Sequence, residues 1–218
     1  MKPTRTLCKA LAIAGLLGIS QTSQANLITN GSFETGAFVP NFQDTMSLPT
    51  SSTAMTGWSV INDTLAWIGP TNPFGLTASS GNFFLDLTDY DNMAPFGGVT
   101  QTVTTVAGLA YQLSFDLGSS DLYGRPSAIL AGAGSTSAIF TGALAGGNSD
   151  WQSFILPFTA NSTSTIISLT GSNGQIYIGL DNVAVNAMVA PVPEPTSLIM
   201  MLTGLGVLGF MARRKRVA

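Results

Sequence analysis

The chain of 218 residues contains no histidine and a single cysteine, Cys8. Zinc, haem and iron–sulfur centres therefore lose their usual ligands. Histidine and cysteine are also the common base and thiol nucleophile of covalent catalysis, so neither an activated serine nor a thiol mechanism is supplied. The catalytic chemistry that remains is a carboxylate pair of the glycoside hydrolase type.

Positive charge is scarce between the two ends of the chain. Residues 26–190 contain ten of the eleven acidic residues but only one of the eight basic residues, Arg125, which gives this segment a formal net charge of −9. Such a segment cannot neutralise phosphates, so nucleic acid is excluded as a partner. It would be repelled by anionic membrane surfaces and would attract divalent cations.

The first 25 residues have the pattern of a signal peptide. Three cations lie within the first nine residues, and the apolar stretch 10–19 that follows is too short for a stable membrane span. Residues 23–25 place small side chains where signal peptidase reads them, and we predict cleavage after Ala25. The alternative is a retained N-terminal anchor.

The C-terminal end combines a proline-rich motif, an uncharged apolar run over 196–212 and a cluster of cations. At roughly 1.5 Å per residue this run forms a helix of about 25 Å, near the lower limit for crossing a bilayer. Cations beside such a helix stay in the cytoplasm. An ordinary membrane anchor is one interpretation. The motif and the cations are Val192, Pro193, Glu194, Pro195, Arg213, Arg214, Lys215 and Arg216.

This end of the chain resembles the PEP-CTERM sorting signal of Gram-negative bacteria. The resemblance implies that an exosortase in the inner membrane processes the tail, after signal peptidase has acted at the front. The protein would be anchored transiently and then released to the cell surface or the exopolysaccharide matrix of a biofilm. The predicted division is a signal peptide at 1–25, a body at 26–187, a proline-rich linker at 188–195, a transmembrane helix at 196–212 and a basic cytoplasmic tail at 213–218.

The body shows the pattern of an antiparallel β-sandwich. Short runs rich in Val, Ile, Phe and Thr alternate with clusters of Gly, Asn, Ser and Asp. Residues 111, 113, 115 and 117 place apolar side chains on one face of a strand, and a change of parity between Leu180 and Val183 predicts a bulge near Asp181-Asn182. A hairpin is expected within 131–147. Strands are predicted near 27–33, 58–61, 66–68, 82–87, 99–106, 110–117, 127–131, 137–140, 151–158, 165–170 and 175–185.

Four parts of the body carry a second resemblance: the opening stretch 26–34, the pair Gly57-Trp58, the segment 111–116 and the closing stretch 178–185. They are similar to the corresponding parts of galactose-binding-like jelly rolls, a group that includes many carbohydrate-binding modules. The resemblance implies a jelly-roll fold and carbohydrate binding. It also implies a structural calcium ion between the first and last strands, where Glu34 and Asp181 match the pattern. Calcium prefers such hard oxygen ligands. The alternative is that both acids merely flank strands.

Aromatic side chains near loops are candidates for glycan binding, because a flat apolar ring suits the C–H face of a sugar. These candidates are Trp67, Phe74, Tyr90 and Tyr123, with Arg125 available for a carboxylate or an acidic sugar. Trp58 and Trp151 begin predicted strands and are assigned to the core.

A second acidic cluster is formed by Asp86, Asp89 and Asp91 with Asn92. Its spacing is not that of an EF-hand, which needs a central glycine and a closing glutamate. A solvated acidic loop is the preferred interpretation, and a metal site is the alternative.

The sequence thus predicts an exported surface or matrix protein with a non-enzymatic, all-β body, and a second hypothesis is that this body binds a specific glycan. The alternatives are a secreted glycan hydrolase that uses a carboxylate pair, and a tethered periplasmic structural domain.

Overall fold

A computed structural model describes residues 25–89, 93–119, 126–143, 150–188 and 203–205. The described part of the chain forms two packed antiparallel sheets, so the predicted β-sandwich is confirmed. The strands are β1 (Thr45–Leu48), β2 (Ser59–Ile61), β3 (Leu65–Ile68), β4 (Phe84–Asp86), β5 (Gly98–Thr104), β6 (Ala110–Ser119), β7 (Ala128–Ala133), β8 (Thr136–Thr141), β9 (Asp150–Thr159), β10 (Ser164–Asn173) and β11 (Gly179–Ala187).

The chain crosses between the two sheets repeatedly, as it does in jelly rolls. One sheet has six strands in the order β1-β3-β4-β11-β6-β9, and the other has five in the order β2-β5-β10-β7-β8. The last strand, β11, lies between β4 and β6. This topology brings residues from the middle and the end of the chain side by side on the six-stranded sheet.

The core lies between the sheets and follows the alternation of the strands. Tyr111, Leu113, Phe115 and Leu117 are all buried, as the sequence predicts. Phe115 on the six-stranded sheet meets Phe140 on the five-stranded sheet edge to face, with ring centroids 5.5 Å apart. These contacts hold the two layers together through apolar burial.

Ten of the predicted strands are found, with shifted ends, but the one at 27–33 is wrong. Leu27 N donates to Val185 O at 2.9 Å, and Val183 N donates to Gly31 O at 2.8 Å. The segment therefore runs beside the end of β11, but Asn30 has a φ of 56°. This left-handed residue breaks the extended backbone that a regular ladder needs. Strand β1, which is short and partly polar, was not predicted.

The predicted bulge and hairpin are both confirmed. The pairing of β11 with β6 shifts register between Asp181 and Ala184, and Asn182 adopts a φ of 51° there. Strands β7 and β8 pair from Ala133 opposite Thr136 onwards, so only two residues form their turn.

The loop 69–83, which joins β3 to β4, covers part of the outer face of the six-stranded sheet. A second small core forms beneath it, and Phe74, Ala78 and Trp151 pack against this core. The sheet is therefore buried on both faces in this region. The buried members of the second core are Ala66, Ile68, Leu76, Phe84 and Tyr177.

Within the described residues no helix has both the length and the apolar character needed to cross a membrane. Of the span predicted at 196–212, only 203–205 are described, and they are helical. The signal peptide, the proline-rich motif and the cationic end lie outside the described residues, so the predictions for them stay predictions.

Candidate functional site: a cavity beside Trp151

A cavity of about 170 Å³ opens where the end of β6, the residues after β8 and the start of β9 meet. It is smaller than the roughly 300–1,000 Å³ of sites for drug-sized ligands. It therefore accommodates one ring-sized group of a ligand. Its lining residues are Leu117, Ser119, Gly142, Ala143, Asp150, Trp151 and Gln152.

The Trp151 ring is held in a defined orientation. Its Nε1 donates to Thr77 O at 2.9 Å, and its ring meets Phe84 edge to face at 5.8 Å. Gly118 lies opposite Trp151 in the register of β6 and β9, where a Cβ atom would come within 3.0 Å of the indole. The ring is thus fixed before any ligand arrives, which lowers the entropic cost of binding.

The hydroxyl of Ser119 has no hydrogen-bond partner among the described residues. Its residue is buried, and Oγ makes no hydrogen bond to any residue that the structure describes. A hydroxyl in this state costs about 1–3 kcal/mol of folding free energy. A Cβ atom at Gly142 would lie 2.6 Å from it, which places the hydroxyl against the cavity wall. The hydroxyl lies on the inner side of β6, whereas the Trp151 ring lies on the outer side.

The remaining polar lining of the cavity is an amide and one carboxylate. Gln152 Oε1 accepts a hydrogen bond from Ala143 N at 3.3 Å, and Asp150 is exposed. Glycoside hydrolysis needs two carboxyl groups that flank one bond, and the described residues of the lining include one, Asp150. The arrangement can hold a polar ligand that has one flat apolar side.

Three buried aspartates lie on the outer face of the six-stranded sheet, on the neighbouring strands β4, β11 and β6. Asp181 pairs directly with Asp116, while Asp86 pairs with Gly179, two residues before Asp181. Interpreting Asp86 as part of a solvated loop is therefore wrong, because it belongs to β4 and is buried. Of the other cluster members, Asp89 accepts from Ser47 Oγ at 2.9 Å, and residues 91 and 92 lie outside the described residues.

Burial raises the pKa of two of these carboxyl groups. The pKa of Asp86 is raised to about 7, although its Oδ1 accepts bonds from Ile178 N and Thr88 N, each at 3.0 Å. The pKa of Asp181 is also raised to about 7, mainly by burial and further by the charge of Asp116. Both groups therefore favour the protonated form at mildly acidic pH.

The covering loop binds the carboxylates through its backbone. Ser80 N donates to Asp181 Oδ2 at 2.8 Å. Asn82 N and Phe83 N donate to Glu34 Oε1 at 2.8 and 2.9 Å. Two acids from distant parts of the chain thus hold one loop.

The predicted calcium ligands Glu34 and Asp181 are therefore brought to the same loop. Their hard oxygens fit calcium chemically, but calcium takes six to eight oxygen ligands. The part of the chain that the structure describes contains no group of three or more acidic, histidine or cysteine side chains able to hold a metal ion. Backbone carbonyls would have to complete a shell, and calcium at Glu34 and Asp181 stays a prediction.

The aromatic residues chosen from the sequence are not those that line the cavity. The prediction for Trp67 is wrong, because this side chain is 1% exposed in a strand covered on both faces and donates to Phe33 O at 3.1 Å. Phe74 is half-buried and packs on the second core. Trp58 is buried as expected. Tyr90, Tyr123 and Arg125 lie outside the described residues, so their proposed glycan contacts stay predictions.

Sequence reasoning missed Trp151, which it had assigned to the core. The available signal was its position at the very start of a strand, between the polar residues Asp150 and Gln152. In β9 its parity places it on the outer face, with Ser153 and Ile155.

Comparison with family models gives two matches. Residues 26–186 match the family described as protein of unknown function (DUF642), and residues 191–216 match the PEP-CTERM protein-sorting motif. Because the first match covers most of the chain, the chain belongs to the DUF642 family. It also carries a PEP-CTERM sorting signal. No curated protein matches the chain.

Solved structures with related folds share little sequence with the chain. A family 35 carbohydrate-binding module from Clostridium thermocellum is 12% identical, with a TM-score of 0.44 over 64% of this chain and 97% of the module. The module TmCBM61, solved with β-1,4-galactotriose, is 16% identical, with a TM-score of 0.41 over 75% of this chain and 99% of the module.

The enzymatically active domain of tailspike protein 4 from bacteriophage CBA120 is 16% identical, with a TM-score of 0.42 over 75% of this chain. The chain spans only 21% of that protein's length. All three scores lie below 0.5, so no property of these proteins is transferred to this chain.

Proposed function

We propose that this member of the DUF642 family is an exported protein of the cell surface or exopolysaccharide matrix of a Gram-negative bacterium, and that its β-sandwich binds a neutral glycan without cleaving it. The observation that carries the proposal is the partly exposed ring of Trp151, which is held on the outer face of the six-stranded sheet and lines a cavity together with Asp150 and Gln152. Signal peptidase and an exosortase are the processing partners.

The chemistry of the cavity supports a sugar ligand. An aromatic face suits the apolar C–H side of a pyranose ring, while hydroxyl and amide groups suit its polar edge. The body carries ten acids and one cation, and the cavity itself contains Asp150. A uronic acid or sulfated glycan would be repelled, and a neutral glycan is therefore the expected class.

The sorting signal supports the location. A PEP-CTERM tail implies processing by an exosortase, and we propose that the apolar run 196–212 anchors the chain in the inner membrane until this occurs. Intact mass and cell fractionation, with and without the cations at 213–216, test this step. A species that starts at residue 26, lacks the apolar run and lies outside the inner membrane is expected. A full-length tail in the inner membrane would support a tethered periplasmic domain instead.

Affinity electrophoresis tests the glycan proposal. It measures how strongly the exported protein is retained by neutral polysaccharides from the bacterium that produces it. Trp151→Ala should abolish retention, and Trp151→Phe, which preserves more of the packing, should weaken it. Phe42→Ala is the matched control, because Phe42 is an exposed ring, 95% accessible, outside the cavity.

Thermal unfolding of each variant shows whether the fold is intact. If a folded Trp151→Ala variant is retained like the wild type, the cavity is not the site. The appearance of new reducing ends during the assay would favour the glycan hydrolase alternative.

A further inference from the structure

Strand β8 forms one edge of the five-stranded sheet and pairs only with β7. The bond from Gly142 N to Ser127 O, at 2.9 Å, continues the same register beyond the strand. Hydrogen-bonded and non-bonded pairs alternate in antiparallel ladders. The N–H and C=O groups of Ser137, Ile139 and Thr141 therefore point away from β7, towards the open side.

These backbone groups have no partner in the described part of the chain. None of the backbone hydrogen bonds outside the strands involves residues 137, 139 or 141, and β8 has no second neighbour in its sheet. An edge in this state is a template for another strand.

The other three sheet edges are protected. Strand β1 has four residues and is followed at once by Pro49, and β2 has only three residues. Strand β9 contains Asp150 and Pro157. Short strands, charges and prolines are the usual means of blocking edge pairing. Strand β8 has six residues with neither a charge nor a proline.

Apolar side chains accompany the open backbone of β8. Ile139 is 62% exposed, and its cross-strand neighbour Leu130 is 42% exposed. Both lie on the outer face of the five-stranded sheet. This pair would lose water contact if a further strand were added.

We infer that β8 pairs antiparallel with β8 of a second copy and joins the two five-stranded sheets into one. The residues whose backbone groups face the open side of β8 are 137, 139 and 141, which are spaced evenly about Ile139. A two-fold axis at Ile139 therefore pairs this residue with Ile139 of the second copy, and Ser137 with Thr141 of the second copy. Such a surface is complementary to itself, as a two-fold interface requires.

The distribution of charge favours the same contact between two copies. Two bodies of formal charge −9 repel each other over most of their surface. No strand of the five-stranded sheet contains a charged residue. Contact through β8 places these uncharged surfaces together and keeps the four strand aspartates in the other sheet. The inference concerns assembly and does not depend on the glycan site.

Disulfide trapping tests the pairing, because the chain contains no cysteine besides Cys8. In a Cys8→Ser background, Ile139→Cys places the only thiol on the proposed axis. Directly paired residues there lie about 5.5 Å apart at Cα, within the range that a disulfide spans. Ile166→Cys is the matched control, since Ile166 is 60% exposed but lies in the interior strand β10.

After export and mild oxidation, a covalent dimer is expected for Ile139→Cys and a monomer for Ile166→Cys. Equal yields of dimer from both, or no dimer from either, would overturn the pairing.

Light scattering of the exported wild type provides a second measurement, with a dimer expected. Ile139→Pro should give a folded monomer, because the N–H that it removes faces away from β7. A wild type that is monomeric at every concentration would contradict the inference. Trp151→Ala should leave the dimer intact.

Discussion

The strands of the six-stranded sheet contain four aspartates, whereas those of the five-stranded sheet contain no charged residue. The outer face of the first is partly covered by the loop 69–83, whose backbone N–H groups donate to Asp181 in the sheet and to Glu34 outside it. The outer face of the second exposes Ile166, Leu130 and Ile139. One sheet thus builds a polar site under a cover, while the other presents a neutral surface.

The first prediction is that the six-stranded sheet, which the loop 69–83 partly covers, makes the stability of the fold depend on pH. Asp86 and Asp181 have folded pKa values near 7 against an ordinary value of 3.8. Because both groups bind protons more tightly in the folded state, their stabilisation of the fold is fully present below about pH 4. It is lost as the pH rises through 7. Each group contributes up to about 4 kcal/mol. The melting temperature should fall between pH 4 and 8.

The double substitution Asp86→Asn and Asp181→Asn should flatten this dependence, because neither amide titrates. Thermal unfolding across the pH range measures it. A wild type whose stability rises between pH 4 and 8 would contradict the assignment.

The second prediction compares apolar side chains on the two outer faces. Phe84→Ala should destabilise by about 3–5 kcal/mol, as a core substitution does, because Phe84 is fully buried beneath the covering loop. Ile166→Ala, on the bare face, should change stability by less than about 0.5 kcal/mol. Chemical denaturation of both variants tests the difference, and equal losses would show that the loop does not protect the sheet.

The third prediction concerns the attachment of the covering loop. Gly81 and Gly108 both have positive φ angles, +75° and +82°. A Cβ at Gly81 would overlap the Glu34 carboxylate, while nothing lies within 4 Å of one at Gly108. Gly81→Ala should therefore cost about 1–2 kcal/mol more than Gly108→Ala. Similar losses in denaturation would argue against a role for Glu34 in holding the loop.

The smallest expected effect is at Ser119. Ser119→Ala removes a buried hydroxyl without a described partner and should leave stability unchanged or raise it by about 1 kcal/mol. A loss of stability in Ser119→Ala would show that the hydroxyl contributes to packing.

The sandwich could be predicted because alternation and turn residues are local signals. The face formed by Tyr111, Leu113, Phe115 and Leu117 was predicted from spacing alone and is buried. The position of the loop 69–83 could not be predicted, because nothing in its sequence shows which sheet face it covers. This is why Asp86 was wrongly assigned to solvent and why Trp151 was missed. Trp67 was misplaced for another reason, because its side chain points into the core between the two sheets.

The hydrogen bond from Trp151 to Thr77 O joins the cavity to the covering loop, and the same loop binds Asp181. Ligand binding beside Trp151 and proton uptake by Asp181 would therefore both act on the loop 69–83. Suppose that protonation of Asp181 tightens the loop and that the loop orders the Trp151 indole. Protonation would then raise the affinity for a bound sugar, and by linkage the sugar would raise the proton affinity of Asp181 by the same factor. Under these conditions the protein would hold its ligand more firmly at mildly acidic pH than at neutral pH.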